Sequence, residues 1–175
     1  MTSALDLEQR RRLDLEHKSI LIIDESSFAL KIVAEMCGSF GLGSIATGKG
    51  IEYAFATMNA THYDVVICDW GTPPLDGSAF VRRVRASAEE RVKRTPIILM
   101  KAHAAAPDVV LAREAGVTEF LARPFSAQTL FNHLISIFSK PREFVTEAAF
   151  TGPDRRRRRP GEQALTRRNS DGPKG

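Results

Sequence analysis

The 175-residue chain has little cysteine and no long apolar run. Its two cysteines, Cys37 and Cys68, lie in separate apolar stretches and have neither metal-site nor disulfide-framework spacing, so we expect both to be reduced core thiols. No apolar run reaches the ~18 residues that a membrane span requires. The first residues, MTSALDLEQRRRLDLEH, are charged throughout, which predicts a cytoplasmic protein without a signal peptide.

The net positive charge of the chain lies in its last fifth. Residues 141–175 hold nine basic and five acidic residues, which accounts for the whole formal net charge of +4. The preceding residues are electrically neutral as a group, and their composition is that of an ordinary globular domain. We therefore expect a neutral domain with a basic tail, and no specific DNA-binding domain.

Apolar strands and amphipathic helices alternate through the neutral part. The predicted strands are residues 19–24, 44–47, 64–69, 95–100 and 119–122. The predicted helices are residues 28–40, 50–59, 78–87, 107–115 and 126–138, with Ser26 or Ser27 available as N-cap of the first and Ser126 of the last. This order predicts an α/β fold, a doubly wound five-stranded parallel sheet of (βα)5 type with helices on both faces.

Carboxylates follow two of the predicted strands. Asp24 and Glu25 come after the first strand, and Asp69 ends the third. Ligands of doubly wound sheets bind beyond the carboxyl ends of the strands, so these acids are expected to meet there. Three converging carboxylates form a hard oxygen site, which suits a small divalent cation. The sequence therefore predicts a functional site at this end of the sheet.

Residues 18–139 resemble the response-regulator receiver domain, the flavodoxin-like CheY-like fold. The resemblance rests on the strand and acid pair at 20–25, on CDWGTPPLDG at 68–77 and on EFLARPF at 119–125, which leads into a cis-prolyl turn. It implies that a histidine kinase phosphorylates Asp69, and that slow self-dephosphorylation is the only catalysis. The Mg²⁺ ligands that it implies are Asp24, Glu25, Asp69 and the carbonyl of Gly71.

Two positions depart from that family's pattern. Lys101 replaces the Ser or Thr whose hydroxyl bonds the phosphoryl group, and Arg123 replaces the Lys before the Pro-Phe pair. Phe120 stands at the switch aromatic position and has no hydroxyl. One hypothesis is that Lys101 pairs with Asp69 and substitutes for Mg²⁺ and phosphate. The alternative is that Lys101 extends to solvent and Asp69 is still phosphorylated slowly.

The basic tail combines arginine clusters with carboxylates. Its Gly, Pro and charge content predicts a flexible segment over residues 140–175, following a leader at 1–17 and the domain at 18–139. Arginine can stack on guanine and contact O6 and N7, whereas a carboxylate can accept from N1 and N2. The simplest interpretation of the arginine run is still a non-specific patch for nucleic acid or anionic lipid.

Domain and tail together resemble the Cle proteins, CheY-like effectors whose arginine-rich extension binds cyclic di-GMP. The residues that this resemblance assigns to the ligand are Asp154, Arg155, Arg156, Arg157, Arg158, Arg159, Arg167, Arg168 and Asp171. It implies a non-enzymatic effector whose tail orders around the dinucleotide. The ordered tail would control binding to a flagellar motor switch protein or another motility protein through the α4-β5-α5 face, residues 107–138. The alternative is a single-domain phospho-accepting regulator in a histidine-kinase relay.

Overall fold

A computed structural model describes residues 13–71 and 76–155 of the chain. The strands of its main sheet are β1 Ser19–Ile23, β2 Ser44–Gly48, β3 Val65–Asp69, β4 Ile97–Ala102 and β5 Glu119–Arg123. All neighbouring strands are parallel, in the order β2-β1-β3-β4-β5. The predicted doubly wound sheet is therefore confirmed.

Five helices connect and cover these strands. They are α1 Ser27–Ser39, α2 Ile51–Ala60, α3 Gly77–Arg85, α4 Ala106–Ala115 and α5 Ala127–Ser139. The predicted N-caps are confirmed: the Ser26 hydroxyl accepts from Ala29 N, and the Ser126 hydroxyl accepts from Thr129 N. A short helix, Glu90–Arg94, follows α3 and was not predicted. Within the described ranges, no helix is both long and apolar enough to cross a membrane.

The core lies in two layers, one on each face of the sheet. Ile20 and Ile22 pack with residues of α1 and α5, whereas Leu21 and Ile23 pack with residues of α2, α3 and α4. This alternation follows from the two-residue period of a strand, and the unbroken apolar run of β1 reflects burial on both faces. Both cysteines are buried free thiols, as predicted, and burial raises the pKa of Cys37 to about 12.

Residues after α5 form a second, antiparallel sheet of two strands. They are β6 Phe144–Glu147 and β7 Phe150–Pro153, which we call the C-terminal hairpin. This differs from the expectation of a flexible tail beginning at residue 140. The difference arises because the backbone of the hairpin packs closely on the main fold at Gly116. A Cβ added to this glycine would lie only 2.5 Å from the Thr151 carbonyl oxygen. Composition alone did not reveal this contact.

Arg85 lies beneath the C-terminal hairpin and binds the backbone of the main fold there. Its side chain is buried, and its guanidinium donates to the carbonyl oxygens of Gly116, Lys93 and Thr95. The Phe144 ring lies 5.5 Å from the Arg85 guanidinium carbon and 5.0 Å from that of Arg94. Two cations therefore face one aromatic ring of the hairpin, at the end of the sheet opposite to Asp24 and Asp69.

Candidate functional site: the acid pocket

Asp24 and Asp69 meet beyond the carboxyl ends of β1 and β3, as the strand order requires. The Asp24 side chain is buried, and its Oδ1 accepts a 2.8 Å hydrogen bond from Ser26 N. Asp69 is partly buried, and its Oδ2 accepts a 2.9 Å bond from Gly71 N. We call these two carboxylates and the residues that contact them the acid pocket.

The guanidinium of Arg123 bridges the two carboxylates. Arg123 Nη2 lies 2.6 Å from Asp24 Oδ2, and Nη1 lies 3.1 Å from Asp69 Oδ1. The residue ends β5, next to the cis peptide bond to Pro124 that the sequence analysis predicted. Its side chain crosses above β4, where Nη2 also lies 3.6 Å from Met100 Sδ. Each of the four carboxylate oxygens therefore has a hydrogen-bond donor or a cation as a partner.

This arrangement does not fit a divalent ion. The described residues contain one trio of His, Cys, Asp or Glu with ligand atoms within 4.8 Å of one another, and its members are Asp14, Glu16 and His17. Asp24, Glu25 and Asp69 do not form such a trio, and Glu25 is exposed. The oxygens of Asp24 and Asp69 that face each other are both bound by Arg123. The three predicted carboxylate ligands are thus not brought together.

The acid pocket and the sheet order are those of a known family. The model of the response regulator receiver domain matches residues 20–135. This chain belongs to that family. The chemotaxis protein CheY of Pseudomonas aeruginosa is 29% identical over 121 residues, covering 69% of this chain and 96% of that protein. CheY-3 of Vibrio cholerae is 27% identical over 125 residues, with coverage of 71% and 95%.

Two solved receivers show the same fold. CheY4 of Vibrio cholerae aligns with a TM-score of 0.61 and 26% identity, covering 67% of this chain and 96% of that one. The receiver domain of the sensor histidine kinase PA1611 from Pseudomonas aeruginosa aligns with a TM-score of 0.60 and 26% identity, with coverage of 70% and 97%. In that structure a magnesium ion is coordinated in the active site cleft.

Lys101 turns away from Asp69 in this receiver. Its Nζ donates a 2.8 Å bond to Asp108 Oδ1 in the first turn of α4 and lies 4.6 Å from the centre of the Trp70 ring. The hypothesis that Lys101 pairs with Asp69 is therefore wrong, because the cation at Asp69 is Arg123. Lys101 does not extend into solvent as the alternative predicted, since Asp108 holds its ammonium, whereas slow phosphorylation of Asp69 stays a prediction. Asp108 was not among the predicted site residues, and its only signal in the sequence was its place in the first turn of a predicted helix.

Two aromatic side chains pack against each other next to Lys101. Trp70 directly follows Asp69, and its ring meets Phe120 edge to face, with 6.2 Å between the centroids. Phe120 lies on β5 and is partly buried. Trp70 is the only tryptophan in the chain, so its fluorescence reports on the surroundings of the residue that follows Asp69.

Burial raises the pKa of the Asp69 carboxyl group. Desolvation raises its pKa above the ordinary value, and the charge of Asp24 raises it further. The hydrogen bond from Gly71 N and the charge of Arg123 lower the pKa but do not cancel this effect. The pKa of the neighbouring Cys68 thiol is also raised by burial, so this thiol stays protonated and inert.

Two of the predicted tail ligands lie in the described part of the chain. Asp154 N donates a 2.7 Å bond to the Glu143 carbonyl, and the Arg155 guanidinium lies 4.1 Å from the centre of the Phe150 ring. Both residues are thereby attached to the end of the C-terminal hairpin. The other predicted ligands lie outside the described residues: Arg156, Arg157, Arg158, Arg159, Arg167, Arg168 and Asp171.

Proposed function

We propose that this chain is a single-domain response regulator that accepts a phosphoryl group on Asp69 in a histidine-kinase relay. The observation that carries the proposal is the Asp69 carboxylate, which is partly buried at the end of β3 with a guanidinium 3.1 Å away. Membership of the receiver family supports the same function. In phosphoryl transfer, positioning and electrostatic stabilisation supply most of the catalysis, and both are present here.

The transfer needs one nucleophile and one cation from this chain. An ionised oxygen of Asp69 attacks the phosphorus of a phosphohistidine, and an acyl phosphate P–O bond forms. The P–N bond breaks, and the imidazole leaves with its electron pair and takes up a proton. Arg123 is placed to bind phosphoryl oxygens as their charge passes from the donor to Asp69.

The signal is proposed to leave through the surface of α4, β5 and α5. Val110 and Leu111 of α4 are 51% and 43% exposed, which is high for large apolar side chains. The Lys101–Asp108 pair joins β4 to α4, and Phe120 of β5 packs against Trp70, the residue that follows Asp69. A change at Asp69 can therefore alter the packing beneath this surface, to which a motility protein such as a flagellar motor switch protein is proposed to bind.

Labelling with a small phosphodonor tests the proposal. Acetyl phosphate should add one phosphoryl group to the full-length protein in intact-mass spectra, and Asp69→Asn should abolish the addition. Asp154→Asn is the matched control, since it makes the same change at the opposite end of the sheet and should be labelled normally. Absence of the adduct from the parent protein, or its persistence in Asp69→Asn, would contradict the proposal.

Binding of cyclic di-GMP by the tail is the second candidate. The contact that favours it is Arg155 on Phe150, which fixes the start of the arginine run beside a hairpin attached to the receiver. A ligand that orders the tail from this point could change the partner surface through linked equilibria. The proposed ligands remain Asp154, Asp171 and the tail arginines, with a nucleic-acid or lipid patch as the competing interpretation.

Calorimetry with full-length protein separates these interpretations. Cyclic di-GMP should release heat at moderate ionic strength, and Arg157→Ala or Asp154→Ala should weaken binding. Arg113→Ala, which removes an exposed arginine of α4, is the control and should bind normally. Tight binding of single-stranded RNA that collapses with salt, without binding of the dinucleotide, would favour the polyanion patch.

A further inference from the structure

The acid pocket contains its own cation. Arg123 contacts Asp24 and Asp69 through two different nitrogens, and its side chain is one-quarter exposed. An ion bound by both facing oxygens would occupy the space of these two nitrogens. The remaining oxygens of the pair accept backbone N–H bonds from Ser26 and Gly71. A divalent ion therefore has to displace the guanidinium before it can touch both carboxylates.

We propose that Arg123 is the resident cation of this receiver and excludes divalent ions from the acid pocket. A guanidinium is planar and presents several N–H donors in a fixed fork, so a single side chain can bridge two carboxylates. A lysine ammonium is a compact point charge and lacks this fork. The arginine is therefore the residue that determines which cation the pocket holds, and it does so by bidentate pairing.

Displacement of Arg123 is opposed by the burial of its partner. The Asp24 side chain is only 6% exposed, so it depends on the guanidinium for charge compensation. Lys101 does not provide a second cation for the pair, since its ammonium is held by Asp108. Mg²⁺ binds proteins through as few as one or two carboxylates and keeps several waters. Removal of the Arg123 side chain should therefore turn the same two carboxylates into a metal site.

Titration of MgCl2 into the full-length protein tests this directly, with calorimetry and Trp70 fluorescence as readouts. The parent protein should give neither heat nor a saturable fluorescence change at millimolar Mg²⁺. Arg123→Ala should give both, with affinity raised by roughly tenfold or more. Arg113→Ala is the matched control, since it removes an exposed arginine of α4, and it should behave like the parent.

Two results would overturn the proposal. One is saturable binding of millimolar Mg²⁺ by the parent protein with a change at Trp70. The other is an Arg123→Ala protein that is folded by circular dichroism but still binds no Mg²⁺. Arg123→Lys serves as a second variant if the alanine protein does not fold, and its affinity for Mg²⁺ should exceed that of the parent.

A consequence for phosphoryl transfer rests on the proposed function. If Arg123 is the cation of the pocket, acetyl phosphate should label Asp69 equally well with a chelator and with Mg²⁺. Labelling that strictly requires Mg²⁺ would contradict the resident-cation proposal. No labelling under either condition would refute phosphoryl acceptance alone, because the Mg²⁺ titration does not depend on phosphate.

Discussion

Arg123 and Arg85 both place a guanidinium inside the receiver, at opposite ends of its sheet. Arg123 pairs with two carboxylates and is one-quarter exposed. Arg85 is 3% exposed and donates to three backbone carbonyls. Burial without a carboxylate lowers the pKa of Arg85 to about 9. An arginine therefore makes a partly exposed ion pair with two carboxylates at one end of the sheet, and a buried structural contact with the backbone at the other.

Removal of the buried arginine should have the largest effect. Arg85→Ala leaves three buried carbonyls without their donor and opens a cavity beneath Phe144. We expect the free energy of unfolding to fall by about 3 kcal/mol or more, measured by urea denaturation. Arg113→Ala, an exposed control on α4, should stay within about 0.5 kcal/mol of the parent. A loss for Arg85→Ala below about 1 kcal/mol would contradict this structural role.

A bulkier residue at Gly116 should separate the hairpin from the main fold. Its φ of 94° is strained for Ala, and the added Cβ would also lie 2.5 Å from the Thr151 carbonyl oxygen. Gly41 has a φ of 84° and nothing within 4 Å of such a Cβ, so Gly41→Ala measures the backbone strain alone. Gly116→Ala should exceed that control by at least about 1 kcal/mol and speed amide exchange at residues 144–153. Equal losses would mean that the hairpin contact contributes nothing.

The smallest effect is expected at the acid-pocket end, where Asp76 caps α3. The carboxylate accepts from Ser78 Oγ and Ala79 N, and these hydrogen bonds lower its pKa. Asp76→Ala should cost about 1 kcal/mol at neutral pH. Because the folded pKa is depressed, this contribution is complete above the unfolded pKa and disappears as the pH falls through the folded pKa.

Urea denaturation at several pH values checks the capping effect. Asp76→Asn keeps an acceptor oxygen but cannot ionise in this range, so it should stay close to the parent at neutral pH and change less with acid. A gap between the parent and Asp76→Ala that stays constant down to the lowest pH would contradict the assigned role of the carboxylate.

The sequence predicted the sheet and the positions of its acids because both depend on strand periodicity. Asp24 and Asp69 had to meet, since the carboxyl ends of adjacent parallel strands lie together. The partners of long cations were not predictable in the same way. Lys101 could reach either Asp69 or Asp108, and only the packing of α4 on the sheet decides between them. Arg123 was identified as a departure, but its bridge to Asp24 depends on the strand order, which places β5 two strands from β3 and three from β1.

The hairpin was missed for a different reason. Gly152 and Pro153 are typical of loops, and they concealed the short strand that begins at Phe150. The available signal was one phenylalanine on each strand of the hairpin, Phe144 and Phe150. The hairpin contacts Arg85 and Gly116, which lie far away in the sequence, so a local pattern could not predict these contacts.

The C-terminal hairpin also determines where this protein can be cut without damage. Family resemblance sets the domain end at residue 139, but a fragment ending there would lose Phe144 from Arg85 and Arg94, and Thr151 from Gly116. Apolar and cationic surface that is now covered would become accessible to proteases and to other molecules. The smallest stable fragment should therefore extend to Arg155, with its stacked contact on Phe150 retained.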